Sequence, residues 1–477
     1  MAIKISGSTI INDSRQLVNV GTSTISASSN LHVGAGITMY GASGIISATS
    51  FYGSGQNLTD LIDGKIQGLT IKDEGSTVGT AGSVTAINFV GPGVTATASG
   101  VNGTVTIPGF GPDSQENLYA GTNAGANSDA DTCFNIAFGC KAGQDLNAGD
   151  RNILIGLQAG ENLTTGGNNI YMGAFAGGDK TTGDYNIALG LSAGKANEGS
   201  CNVFAGKYAG RDNTTGNYNV FLGLDAGKTV TTGSDNIALG QLSMGAGVVT
   251  GSGNVALGKN TGCALTSGQY NVIFGLNAGM GAGALHRNVL IGCGAGRCQT
   301  THDTIAIGDN AGKCVTSIRN IFIGKYAGKE TTSGGTNAFI GSYAGSNMQT
   351  GDHNVAIGCR ALHGSSTAGD NTGDQNVALG KQTLCCITSG ANNIAMGCHA
   401  GAKLTTGADN IALGRGAMGS DTVTGNYNIA FGFEAGCGIN SASGNVLLGQ
   451  CAGRGLENGG CNVILGVDAG RDFTAGS

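Results

Sequence analysis

The side chains in this chain with most capacity for chemistry are fourteen cysteines, thirty carboxylates and six histidines. Cys140, Cys293, Cys359 and Cys398 each directly follow a glycine at one point of a repeated string, and Cys298 and Cys314 share another point in adjacent strings. Thiolates at such spacings can hold zinc or form disulfides. Zinc needs a Cys-x-x-Cys pair with a matching second pair or tracking histidines, and neither is present. The first reading is therefore small apolar filler in a packed stack. Disulfides are the second, because stacked rungs ~4.8 Å apart bring Cα atoms within bridging range. The vicinal pair Cys385–Cys386 stands alone.

The carboxylates and hydroxyls offer less. Glycoside cleavage needs two carboxyl groups held together; Asp225 and Asp468 share a repeat position but lie many rungs apart. Gly-x-Gly-x-x-Gly strings occur among 90 glycines without a βαβ context. The calcium-binding nonapeptide pattern and a serine elbow are both missing. Thr-Thr pairs (Thr164-Thr165, Thr181-Thr182, Thr214-Thr215, Thr231-Thr232, Thr405-Thr406) raise ice binding or O-glycosylation against a plain turn flank, and fewer than half the repeats carry them. No enzymatic activity, cofactor or metal is expected.

These residues are positioned by a unit of about seventeen residues. It reads Asn-[Ile/Val]-x-[Leu/Ile/Phe]-Gly-x-x-Ala-Gly followed by about eight polar residues, as in NIALGLSAG from Asn186, NVFLGLDAG from Asn219 and NVILGVDAG from Asn462. Twenty-one units run from Asn117 to Asn462. A short fixed period predicts a quasi-one-dimensional stack: an all-β parallel solenoid with one rung per unit, about 100 Å long at ~4.8 Å per rung. Numbering from the Asn, position 5 is always Gly and position 1 is Asn except at Thr304. Asn186, Gly190, Ala193, Gly194, Asn219, Gly223, Asn462 and Gly466 exemplify the structural positions. Glycines at 5 and 9 suit positive φ or close approach. The Asn column predicts an amide ladder along the rod, with sugar recognition as the rival reading. The Thr-Thr-Gly stretch reads as a second short strand and turn.

Positions 2 to 4 are nearly always apolar, so both faces of a strand there are apolar. One face fills the coil. The other would be polar if it met water. Packing against further copies of the chain is expected, as a closed oligomer and most simply a trimer, with position 3 or positions 2 and 4 lining the axis. A single-chain solenoid covered in some other way is the alternative. Between Asn354 and Asn376 the unit grows to 22 residues, and HGSSTAGDNTGD at 363–374 is a candidate partner-contacting loop. The last unit stops at its sixteenth position without a cap-like sequence. End-to-end continuation, capping by another protein, or removal of a C-terminal domain would each accommodate that.

Residues 1–60 read as β-rich, 61–111 as a small β module, and 112–477 as the repeat shaft, with GFGPDSQ at 109–115 as the junction. Charged residues are 11% of the chain and the net charge is −6, with no basic stripe, so no nucleic-acid partner is expected. No apolar stretch reaches 18 residues, which argues against membrane insertion as a helix. MAIKISGSTIINDSRQ does not read as a secretory signal, so synthesis in a cytosol and release by lysis or a non-Sec route are expected.

The repeat GNYNVFLGLDAGKTVTTGSDNIALG (216–240) resembles the Asn-x-Ala-Leu-Gly-x-x-Ala-Gly arrays of tail-fibre proteins of tailed bacteriophages. SGSTIINDSRQLVNVGT (6–22), ISATSFYGSGQNLTDL (46–61) and NFVGPGVTATASGVNGTVTIPG (88–109) look like segments of such fibres. The heads of trimeric autotransporter adhesins are more loosely similar. The resemblance implies a homotrimeric virion appendage that attaches to other virion proteins through its N-terminal modules and presents the shaft to a host-surface glycan or protein. It also implies a self-cleaving C-terminal chaperone in many relatives. A secreted or cell-surface filament or adhesin that polymerises end to end is the alternative.

Overall fold

The computed structural model describes residues 112–474 apart from 180, 181, 282 and 366–370, together with the backbone of nine short strands between residues 3 and 106. The chain divides into two compact units, Met1–Ile107 and Pro108–Ser477. In the first, β1 (Ile3–Ile5) and β2 (Ser8–Ile11) form an antiparallel hairpin, as do β6 (Ile71–Asp73) with β7 (Ser76–Val78) and β8 (Thr95–Ser99) with β9 (Asn102–Thr106). The strands β3 (Leu31–His32), β4 (Ile37–Tyr40) and β5 (Ile45–Ala48) make a three-stranded antiparallel sheet. The remaining residues of the segments 1–60 and 61–111, read as β-rich and as a small β module, lie outside the described residues.

The second unit is an all-β parallel solenoid, without helices among its described residues. Its twenty-one strands, β10 (Leu118–Ala120) through β30 (Val463–Leu465), pair in chain order into one parallel sheet. Each strand is positions 2 to 4 of one unit, and each residue pairs with the same repeat position of the next, as Val203, Phe204 and Ala205 do with Val220, Phe221 and Leu222. Periodic sequence and periodic register are thus one fact, and no rung slips even across the long unit, where Val355 pairs with Val377.

Among the described residues there is a single strand per turn. The expected second strand in the Thr-Thr-Gly stretch is not formed; only isolated parallel bridges occur, at Val230–Val249, Gln269–His286 and Leu404–Val423. The stretch still stacks, because threonine hydroxyls bond to the next rung: Thr214 Oγ1 donates to the Thr231 carbonyl at 3.1 Å and Thr388 Oγ1 to that of Thr405 at 3.1 Å. The first threonine of a pair is engaged in this way at Thr214, whereas the second, Thr215, is exposed.

The interior is a narrow column filled by positions 3, 8 and 12. Phe204, Phe221, Phe322 and Phe339 at position 3 and every Ala at position 8 from Ala142 to Ala452 are fully buried. Volume is balanced within some rungs, though not in that of Phe339 and Met348. Phe204 shares its rung with Asn213 and Phe322 with Thr331, whereas Ala137, Ala256 and Ala430 share theirs with Leu146, Leu265 and Ile439. Adjacent rings continue the packing along the axis, with Phe204 and Phe221 stacked at 5.4 Å between centroids.

Candidate functional site

The coil closes because of four backbone corners per rung. Gly190 and Gly223 at position 5 have φ of +133° and +132°, and Gly194 at position 9 has +54°. A Cβ on Gly194 would sit 2.6 Å from Cδ2 of Phe204, so that corner needs glycine for space as well as for φ. The other two corners are non-glycine residues in the left-handed region: position 7, such as Ser192 at +52°, and the residue before the Asn, such as Tyr185 at +58°. Such residues cost about 1–2 kcal/mol each, offset by inter-rung bonds from their N–H groups: Ser192 donates to Ala174 at 2.8 Å and Tyr185 to Gly167 at 3.1 Å. Ala193 closes the turn by donating to Gly190 at 3.2 Å.

The Asn column forms the expected ladder, with the backbone as its main partner. The Asn186 N–H donates to Oδ1 of Asn169 at 2.9 Å, its Oδ1 accepts the Asn202 N–H at 3.0 Å, and its Nδ2 donates to the Gly199 carbonyl at 2.9 Å. Asn219 repeats this with Asn202, Asn236 and Gly233. Asn462 keeps its bonds to Asn445 at 2.9 Å. Asn186 and Asn219 are buried, Asn462 on the last rung is half-buried, and all three are committed, which leaves no free row of them to recognise a sugar. Thr304 interrupts the ladder, and the neighbours compensate: Gln299 Nε2 donates to Oδ1 of Asn288, and Asn320 Nδ2 donates to Ser317 Oγ. Replacing Asn219 with leucine is expected to orphan the Asn236 N–H and the Gly233 carbonyl. At about 1–3 kcal/mol for each buried unsatisfied group, a loss of roughly 2–6 kcal/mol should appear in urea unfolding; an unchanged midpoint would refute the ladder's role.

The cysteines differ from expectation. All fourteen are free thiols and only Cys437 and Cys451 are buried. Position 6 lies outside the strand on the coil's outer surface, so Cys140, Cys293 and Cys359 are exposed and fill no core. Cys385 and Cys386 have Sγ atoms 3.8 Å apart beside a groove of about 400 Å³ that Arg360 and His363 also line. Contact with the Cys385 thiol holds Cys386 down at about 6. Among the described residues no three His, Cys, Asp or Glu side chains converge to hold a metal ion. Asp225 is paired with Lys228 at 3.3 Å and Asp468 with Arg471 at 3.6 Å, each within its own rung. Asn371 pins the base of the long unit's insertion by donating to the carbonyls of Asn347 and Ser365; residues 366–370 lie outside the described residues.

The surface with most to explain is the outer face of the sheet. Position 3 points into the coil, so positions 2 and 4 point out. Across all twenty-one rungs every one of these outward residues is apolar: Ile, Val, Leu or Ala at position 2, and Leu, Ile, Phe, Met or Ala at position 4. They are half-buried to exposed, with Leu189 and Leu222 each 38% exposed and Phe431 59%. The face is about 100 Å long, and at ~10 Å wide it covers on the order of 1,000 Å², against ~300–600 Å² for the largest apolar patch of an ordinary monomer. Most charge pairs lie elsewhere, at positions 7, 10 and 11, as in Lys228–Asp225 and Arg211–Asp212; Arg287–Asp303, at the residue before the Asn, flanks the face. The sequence showed that both strand faces are apolar; it did not show which one the coil consumes.

The fold and this face define the class: a single-sheet parallel β-solenoid with tandem rungs and an uncovered apolar side. No family model matches the chain, and no curated protein or solved structure matches it.

Proposed function

We propose that the chain is the shaft of a structural fibre, built from several copies that pack on their outer apolar faces, and that it serves as a tail fibre or similar appendage of a phage virion. The observation that carries the assembly is the unbroken pair of apolar columns at positions 2 and 4. Parallel sheets are ordinarily covered on both faces, and one of order 1,000 Å² exceeds the ~800 Å² per partner of a standard stable interface. Identical copies supply a cover of matching length, and closed cyclic symmetry, most simply a homotrimer, buries every face without leaving a sticky end. The virion assignment rests on the resemblance of 216–240 and the N-terminal strings to phage fibres. A rigid rod with many like rungs would hold a repeating surface against a host glycan or protein, where weak contacts add by avidity.

Light scattering on the purified chain should give three times the 47.0 kDa chain mass. A monomer at micromolar concentration would overturn the assembly. Antibody against the shaft should decorate virion appendages in electron micrographs; label confined to long free filaments would favour a secreted or cell-surface adhesin instead.

A further inference from the structure

Two residues flank the apolar face on each rung: the one before the Asn on one edge, and position 6 on the other. Tyrosine occurs on the first edge four times, at Tyr185, Tyr218, Tyr270 and Tyr427, each 62–67% exposed. A large aliphatic or aromatic residue occurs on the second edge in only six of twenty-one rungs: Leu157, Leu191, Leu224, Leu276, Phe433 and Val467. All four tyrosines fall on rungs from that set, paired with Leu191, Leu224, Leu276 and Phe433. The charged rungs are mixed: Asp409 shares its rung with Arg415, whereas Asp303/Asp309 and Arg319/Lys325 carry like charges on both edges, and Asp303 is paired within its own chain to Arg287 of the preceding rung at 2.7 Å.

Within one chain the two edges do not meet. Five residues separate them, and the four between the corners, positions 1 to 4, hold the two edges roughly 13 Å apart along the strand. Inheritance of one ancestral unit does not suffice either, because the intervening and following positions have diverged: position 3 is Ala188, Phe221, Ile273 and Ala430, and position 7 is Ser192, Asp225, Asn277 and Glu434. Positions that vary together mark contact, so the contact is between chains. A symmetry axis running along the shaft, with all copies pointing the same way, sets the first edge of one copy against the second edge of the next at equal height. A two-fold axis across the shaft would instead set unlike rungs together.

We infer that the copies are parallel and in register, with the residue before the Asn of each rung packed on position 6 of the same rung in the neighbouring copy, so that the Tyr–Leu and Tyr–Phe pairs fix the register. This rests on the self-association proposed above. Register pinning is needed because the columns at positions 2 and 4 are nearly uniform along the shaft and would allow one-rung slips.

Native Cys359 and Cys398 stand at position 6 opposite His353 and Asn392, and no rung has cysteine on both edges. The full-length variants His353→Cys and Asn392→Cys supply the second thiol at an exposed site whose left-handed backbone already accepts Cys201 and Cys461. A short bismaleimide adds each thiol S–H across one of its C=C bonds and cannot bridge the two edges within one chain. Peptide mapping should find 353 linked to 359 and 392 linked to 398, with covalent multimers on a denaturing gel. Asp235→Cys, whose nearest position-6 cysteine is Cys293 three rungs away, should give no linked pair. An oligomeric mass without the 353–359 and 392–398 links, or with links to distant rungs, would overturn the register and leave the assembly standing. A monomeric mass would overturn both.

Discussion

Replacing Gly190 with alanine is expected to break the shaft at that rung. An added Cβ would lie 2.7 Å from the carbonyl oxygen of Gly206 and 2.8 Å from its carbon, at a φ of +133°. Both obstacles are backbone, so no rotamer relieves them. Separating the two rungs would stretch the bond from the Gly206 N–H to the Leu189 carbonyl, now 2.8 Å. The combined clash and strain should cost about 4 kcal/mol or more, in the range reserved for named structural faults. Because rungs touch only their neighbours, the loss should stay local and split the cooperative unit. Calorimetry should resolve two transitions where the parent shows one, with limited proteolysis cutting near residue 190. Gly466→Ala is the comparison, since its Cβ would find nothing nearer than Ala469 Cβ at 3.8 Å. Equal destabilisation by the two substitutions would sink the steric account.

That contrast indicates what the sequence could carry. Gly at position 5 is legible because only glycine fits a backbone approaching its neighbour so closely, and the strict spacing of Asn and Gly sets the parallel register before any coordinates are seen. The left-handed corners at Tyr185, Tyr208 and Tyr218 were illegible. Tyrosine gives no local signal for that conformation, which is imposed by inter-rung bonds from the residue's own N–H and not by side-chain type. The Thr-Thr-Gly stretch was misread as a strand for a related reason: its hydroxyls stack on the next rung without a regular backbone ladder. The cysteines were misread because small size suggests burial, whereas position 6 lies just past the glycine corner, where the chain has turned to the surface. The Tyr–Leu edge pairing was present in the sequence throughout. It became visible only when the fold showed that the two positions flank one face and cannot touch within a chain.

Glutamate at Leu222 is expected to dissolve the assembly while leaving each coil intact. Leu222 points outward at position 4, 38% exposed in the single chain, and the coil interior at this rung is filled by Phe221, Ala226 and Val230. The fold of one copy therefore loses little. In the closed oligomer the same substitution gathers one carboxylate from each copy near the axis, in apolar surroundings and with no partner cation. Each unpaired buried charge costs several kcal/mol, and symmetry multiplies that by the number of copies, enough to lower the association constant by many orders of magnitude. Light scattering should fall to the 47.0 kDa chain mass with the far-ultraviolet dichroism unchanged. Thr215→Glu, on an exposed position away from the strand face, should leave the mass as it was. The pH dependence has a definite sign. Apolar burial and like neighbours raise the carboxyl's pKa in the assembled state above its value in the free chain. Assembly of Leu222→Glu is thus favoured where the carboxyl is neutral, below its free-chain pKa near 4.3, and is lost as pH rises through the assembled-state value. Recovery of the oligomer on mild acidification, reversed at neutral pH, would place position 4 inside the interface. A variant that stays fully assembled at neutral pH would show that this face is not where the copies meet.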